Sequence, residues 1–144
     1  MKYRFLLLLM LTAALSCFAQ KEKKATPPAG AKMAFEKAFP GAEKVKWGKE
    51  KAGYEAEFVL KGKQMSAVYD NSGALKETEE DITIAALPLP VTTYIKQHYT
   101  NAVIKEAAKI TKPGGEITYE AEVNKKDLIF DAGGKFIREE KDKD

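Results

Sequence analysis

The sequence predicts an α+β fold: a tandem repeat of one helix followed by about four antiparallel strands, with one face of each sheet covered by helices. Three observations predict it. Tyr54-Glu55-Ala56-Glu57-Phe58 returns 65 residues later as Tyr119-Glu120-Ala121-Glu122-Val123. Tyr69-Asp70-Asn71-Ser72-Gly73 returns at an offset of 61 as Phe130-Asp131-Ala132-Gly133-Gly134. Upstream, Ala31, Phe35, Phe39 and Ala42 align with Val91, Ile95, Tyr99 and Ala102 at an offset of 60. The offsets change only across hairpin loops, where an inserted residue leaves backbone groups hydrated.

Residues 1–19 read as a secretory signal peptide. Lys2 and Arg4 precede the apolar run Phe5–Leu15, and Ser16-Cys17-Phe18-Ala19 supplies small residues before a cut at Gln20. The run is too short to span about 30 Å of hydrocarbon, so no membrane span is expected. The destination is the periplasm or the exterior; a lipid anchor through Cys17 is the alternative. Removing the segment leaves 22 Lys and Arg against 21 Asp and Glu. That near balance gives no electrostatic case for nucleic acid or an anionic membrane. Cys17 is the sole cysteine of the chain, so the exported part forms no disulfide of its own and depends on packing.

Residues 20–30 are charged and rich in Pro and Gly, and read as a flexible lead-in. The first helix-plus-sheet unit covers 31–80, a connecting segment 81–90, the second unit 91–140, and a solvated tail 141–144. In the first unit Ala31, Ala34, Phe35, Ala38 and Phe39 share one helical face, and Pro40-Gly41 ends the helix. Strands follow at Val45–Trp47, Tyr54–Leu60, Gln64–Tyr69 and Ala74–Glu79. In the second unit Pro90 suits a first helical turn and Val91, Tyr94, Ile95, His98 and Tyr99 form the apolar face. Its strands are Val103–Ile110, Ile117–Val123, Asp127–Phe130 and Lys135–Glu139. In the last turn of each unit, Asp70 or Asp131 accepts backbone hydrogen bonds and a glycine supplies positive φ. A unit of this size is marginal alone, so the two are expected to share apolar surface or to join their sheets edge to edge.

The runs Ala34–Trp47, Tyr54–Phe58 and Val68–Leu75, followed by Leu87–Lys109, Tyr119–Val123 and Ile129–Ile137, resemble PepSY-like periplasmic proteins, which are related in fold to beta-lactamase-inhibitory proteins. The resemblance covers roughly Lys32 to Glu140. It implies the tandem architecture, export and no enzyme activity. Its inhibitor branch holds an enzyme on a sheet surface, but fold analogy assigns no target or contact residue here.

The residues themselves offer no catalytic, cofactor-binding or metal-binding set. His98 is the only histidine and has no partners at ligand spacing. The glycines form no phosphate loop, and Asp70-Asn71-Ser72-Gly73 is too short for a calcium loop. What remains is a surface for an envelope protein or peptide. Glu55, Glu57, Glu120 and Glu122 alternate with core residues, so they point together to the uncovered face, where Lys46 answers their charge. Trp47 has Ala107 at its aligned position, so repeat packing does not require it; it fills the space under the helix or meets a partner. The reading is a noncatalytic exported binding module that inhibits or sequesters its partner. The alternative is an envelope scaffold without a dedicated enzyme target. The oligomeric state is open.

Overall fold

Helix α1, Ala29–Ala38, follows Pro28, whose backbone is extended. Its apolar face buries Ala31 and Phe35. At its end Phe39 N–H donates to Phe35 C=O at 2.9 Å, and Gly41 turns the chain with φ +85°. Helix α2, Leu89–His98, is made alike, with Pro90 in its first turn and Val91 and Ile95 buried. Asn101 takes the left-handed turn there, at φ +54°. The computed structural model describes residues 25–50 and 52–141. The expected signal segment, Cys17 and residues 142–144 lie outside the described residues.

Four strands follow α1: β1 Glu43–Glu50, β2 Gly53–Leu60, β3 Lys63–Asp70 and β4 Leu75–Asp81. A 3₁₀ turn, Ile84–Ala86, leads into α2, after which come β5 Ile104–Thr111, β6 Ile117–Val123, β7 Lys126–Asp131 and β8 Phe136–Lys141. All eight form one antiparallel sheet in chain order. The two sets of strands are therefore joined edge to edge through β4 and β5.

Each helix covers its own core. Under α1, Ala31 and Phe35 meet Ala56, Phe58, Ala67 and Tyr69. This core is aromatic: the Phe35 ring lies 4.9 Å from Phe58 and 5.5 Å from Trp47, edge to face. Under α2, Val91 and Ile95 meet Ala107, Ala121, Val123, Leu128 and Phe130. Between the cores the register places Thr78 and Glu80 of β4 against Thr111 and Lys109 of β5. Those polar side chains separate the apolar clusters, so the expectation of shared apolar surface is corrected: backbone pairing makes the joint.

The hairpin turns carry the helix starts. Asp70 Oδ1 accepts the N–H groups of Ser72 and Ala74 at 2.9 and 3.0 Å, and Asp131 Oδ1 accepts those of Gly133 and Lys135, both at 2.9 Å. Gly73 and Gly134 lie at positive φ beneath the helices. A Cβ on Gly73 would sit 2.8 Å from Ala31 N, and one on Gly134 3.0 Å from Pro90 Cβ, so only glycine admits the helix this closely.

Several boundaries differ from the sequence expectation. β1 runs well beyond Val45–Trp47, because its lysines hide the period-two signal. β4 reaches Asp81 and β8 reaches Lys141. The lead-in is partly built in: Ala25 N–H donates to Trp47 C=O at 3.1 Å, Pro27 is buried, and the helix starts at Ala29. Proline needs no donor partner and packs as an apolar ring, so polar composition around it misleads.

Two substitutions in the first core should shift stability in opposite directions. Phe35→Ala should cost about 3–5 kcal/mol in denaturant unfolding. Tyr69 is fully buried and its hydroxyl has no hydrogen-bond partner, whereas Phe130 fills the aligned position without one. Tyr69→Phe should therefore raise stability by about 1 kcal/mol.

Candidate functional site

Successive strand residues alternate between faces, so register assigns every side chain to a side. Trp47, Ala56 and Ala67 lie across from one another beside α1, and Ala107, Ala121 and Leu128 do so beside α2. Continuity through Thr78 and Thr111 puts both helices on the same side. The alternate positions make the open face.

That face is acidic. Glu55 and Glu57 of β2, Glu77, Glu79 and Asp81 of β4, Glu120 and Glu122 of β6, Asp127 of β7 and Glu140 of β8 share it. Its basic residues are fewer. Lys46 of β1 stands opposite Glu57, Arg138 Nε lies 2.5 Å from Glu140 Oε1, and Lys105 Nζ lies 3.3 Å from Glu122 Oε1. The whole chain carries a formal charge of +3, so the acid excess is local.

Neutral strands space the acids of β2, β4 and β6, whereas Glu122, Asp127 and Glu140 stand directly opposite one another on β6, β7 and β8, with Lys105 and Arg138 beside them. Val68 and Ser66 of β3 stand between the β2 and β4 acids, and Ala108 of β5 separates Asp81 from Glu120. Two strand spacings place the acid rows roughly 10 Å apart, close to the screening length of about 8 Å at physiological salt. Burial pushes the Asp81 carboxyl above its ordinary range. Among the described strands no aromatic residue lies on this face.

The five residues singled out in the sequence are thus divided. The four glutamates stand together on the open face, and Trp47 is on the other side of the sheet. Half-buried there, its ring is 5.6 Å from Tyr69. It also lines a groove of about 560 Å³ between the end of α1 and β1, together with Phe35, Phe39 and Val45. Sequence reasoning missed this groove, since it depends on how the chain enters α1.

The remaining polar chemistry is structural. Tyr99 O–H donates to Glu139 Oε2 at 2.9 Å, and Lys126 Nζ donates to Glu139 Oε1 at 2.7 Å. The Lys126 bond and then the Tyr99 bond lower the Glu139 pKa, while burial chiefly, with help from Glu139, pushes Tyr99 up to about 12. His98 is exposed and stacks on Tyr94, ring centroids 4.1 Å apart. Among the described residues no group of His, Cys, Asp and Glu is arranged to hold a metal ion, and no helix is long and apolar enough to cross a membrane.

The family model described as beta-lactamase-inhibitor-like, PepSY-like matches residues 52–138. The chain belongs to this family. It is an inhibitor-type, noncatalytic fold family. The PepSY-like chain resembles a periplasmic protein structure from Bacteroides eggerthii at 19% identity and a TM-score of 0.72, covering 81% of this chain and 90% of that one. A DUF2874 family protein from Bacteroides uniformis gives 20% identity and a TM-score of 0.71 over 81% and 90%. A BLIP-like protein from Bacteroides fragilis gives 25% identity and a TM-score of 0.63 over 81% and 87%. No curated protein matches the chain.

The Asp70 turn gives a pH test. Ser72 O–H and the backbone N–H groups lower its pKa below the ordinary value of 3.8. A lowered folded-state pKa stabilises above the ordinary value, and that contribution is lost as pH falls through the folded one. Asp70→Ala should lower the Tm at pH 7, and the gap from wild type should narrow as the pH drops below 3.8 in a series of thermal melts.

Proposed function

We propose that this PepSY-like chain is a noncatalytic exported binding module whose open sheet face engages a basic protein or peptide of the cell envelope. The observation carrying the reading is the acid excess on a face that no described helix covers, in a chain of positive net charge. Spaced carboxylates attract a complementary basic surface, steer its approach and fix its register without a pocket. Glu55, Glu57, Glu120 and Glu122 are the contact residues of this reading, and inhibition or sequestration is the result of covering the partner. Trp47 belongs to a separate surface.

In the same reading, the two halves are copies of one helix-plus-four-strand unit over 31–80 and 91–140. Support comes from the aspartate turns, which accept corresponding backbone bonds, and from the proline before each helix. Residues 1–19 act as a cleaved signal and the working compartment is the periplasm, with lipidation of Cys17 as the alternative. The relatives described as periplasmic support that location. A second reading, an envelope scaffold, is favoured by one observation: among the described residues the open face has no aromatic anchor of the kind common at interface hot spots.

The test uses purified exported protein as bait in envelope extract, with partners identified by mass spectrometry and binding repeated across salt concentrations. A basic partner should be recovered reproducibly, weaken with added salt, and be lost from the Glu55→Lys, Glu57→Lys double variant while circular dichroism shows the fold intact. Recovery unchanged by the double substitution overturns the assignment of this face.

A further inference from the structure

The seam between β4 and β5 is short and polar. Its ladder runs only from Thr78↔Thr111 to Asp81↔Ala108, with one more bond from Ile82 N–H to Ala107 C=O. By contrast, β2 and β3 pair from Gly53↔Asp70 to Leu60↔Lys63. Residues 75–77 of β4 run past the end of β5 without a partner on it. On the helix side, one row across the sheet reads Met65, Glu80, Lys109, Tyr119. Met65 packs against the core under α1 and Tyr119 against the core under α2. A charged pair therefore stands where the two cores would meet, and Lys63 holds Glu80 in a further ion pair. The next row reads Ala67, Thr78, Thr111, Ile117, with Thr78 Oγ1 donating to Thr111 C=O at 3.4 Å.

The helices leave this seam alone. The core that buries Phe35 draws on β1 to β4, and the core that buries Ile95 draws on β5 to β8. A helix packed across two strands resists their bending, because the bend would open a close-packed layer. A paired ladder without such a layer fixes spacing and register, while the angle between neighbouring strands varies widely from sheet to sheet.

We propose that the β4–β5 seam is a hinge, about which β1–β4 with α1 and β5–β8 with α2 move as two units while the ladder stays paired. The motion hollows or flattens the open face. Glu55 and Glu57 ride on one unit and Glu120 and Glu122 on the other, so the bend sets how closely both pairs follow the contour of a partner. That consequence rests on the open face being the binding surface; the hinge itself does not.

Residues 20–144 contain no cysteine, so spin labels attach only where cysteines are introduced. The helices stand off the sheet by roughly 10 Å, a layer's thickness, and a bend at the seam changes their separation directly. Lys37→Cys on α1 and Gln97→Cys on α2, both exposed and 60 residues apart, give the label pair across the seam. Lys37→Cys with Gln64→Cys on β3 gives a control pair within the first unit. In double electron–electron resonance on purified residues 20–144, the distance distribution across the seam should be at least twice as wide as that of the control. Glu80→Leu with Lys109→Leu continues the apolar row from Met65 to Tyr119, and should narrow the first distribution while leaving the second as it was. If circular dichroism shows that this variant does not fold, Thr78→Val with Thr111→Val makes the same test on the neighbouring row. A seam distribution no wider than the control overturns the proposal, and so does a width indifferent to the apolar substitutions in a folded variant. No partner is added, so failure of the open-face reading and failure of the hinge are separate results.

Discussion

The backbone ladder between β4 and β5 makes one sheet from two small apolar cores. Neither core touches the other through side chains at the helix-side seam, where Thr78, Glu80, Lys109 and Thr111 meet. Continuity therefore rests on paired peptide groups, which satisfy each other wherever two strands run in register. That pairing also sets the handed arrangement of faces. Because Thr78 and Thr111 share a side, α1 and α2 cover the same side of the sheet and leave the opposite one free.

A single-sided sheet sorts its residues strictly. The aromatic side chains of the strands go under the helices, and the carboxylates of β2, β4 and β6 go to the solvent. Alternating acidic and neutral strands keep the carboxylate rows apart by about the distance over which salt screens them. The outcome is a broad face rich in carboxylates. Trp47 lies outside that surface because it pairs with Ala56 and so falls on the helix side of β1, while its neighbour Lys46 falls on the open face.

Much of this was legible in the sequence. Both helices declare themselves through apolar residues at helical spacing and through Pro40-Gly41 and Pro90. Both aspartate turns are readable because Asp and Gly have local conformational reasons to be there. The grouping of Glu55 with Glu57 and of Glu120 with Glu122 follows from the two-residue period, whereas the sharing of one face by both pairs and Lys46 rests on the strand register. The seam was less readable. β4 is Lys-Glu-Thr-Glu-Glu-Asp after Leu75, so nothing in its pattern distinguishes an interior strand from an edge. The buried Pro27 sits in a run whose composition resembles a loop. The groove beside Trp47 is lined from both the end of α1 and the start of β1, so no local sequence pattern announces it.

Native-state hydrogen exchange across β4 and β5 tests the joint most directly. The amides that cross this ladder, with that of Ile82, should exchange as slowly as those shared by β2 and β3. Rates typical of exposed edge strands at these positions, with β2 and β3 still protected, would mean that two separate sheets stand where a single eight-stranded one has been described.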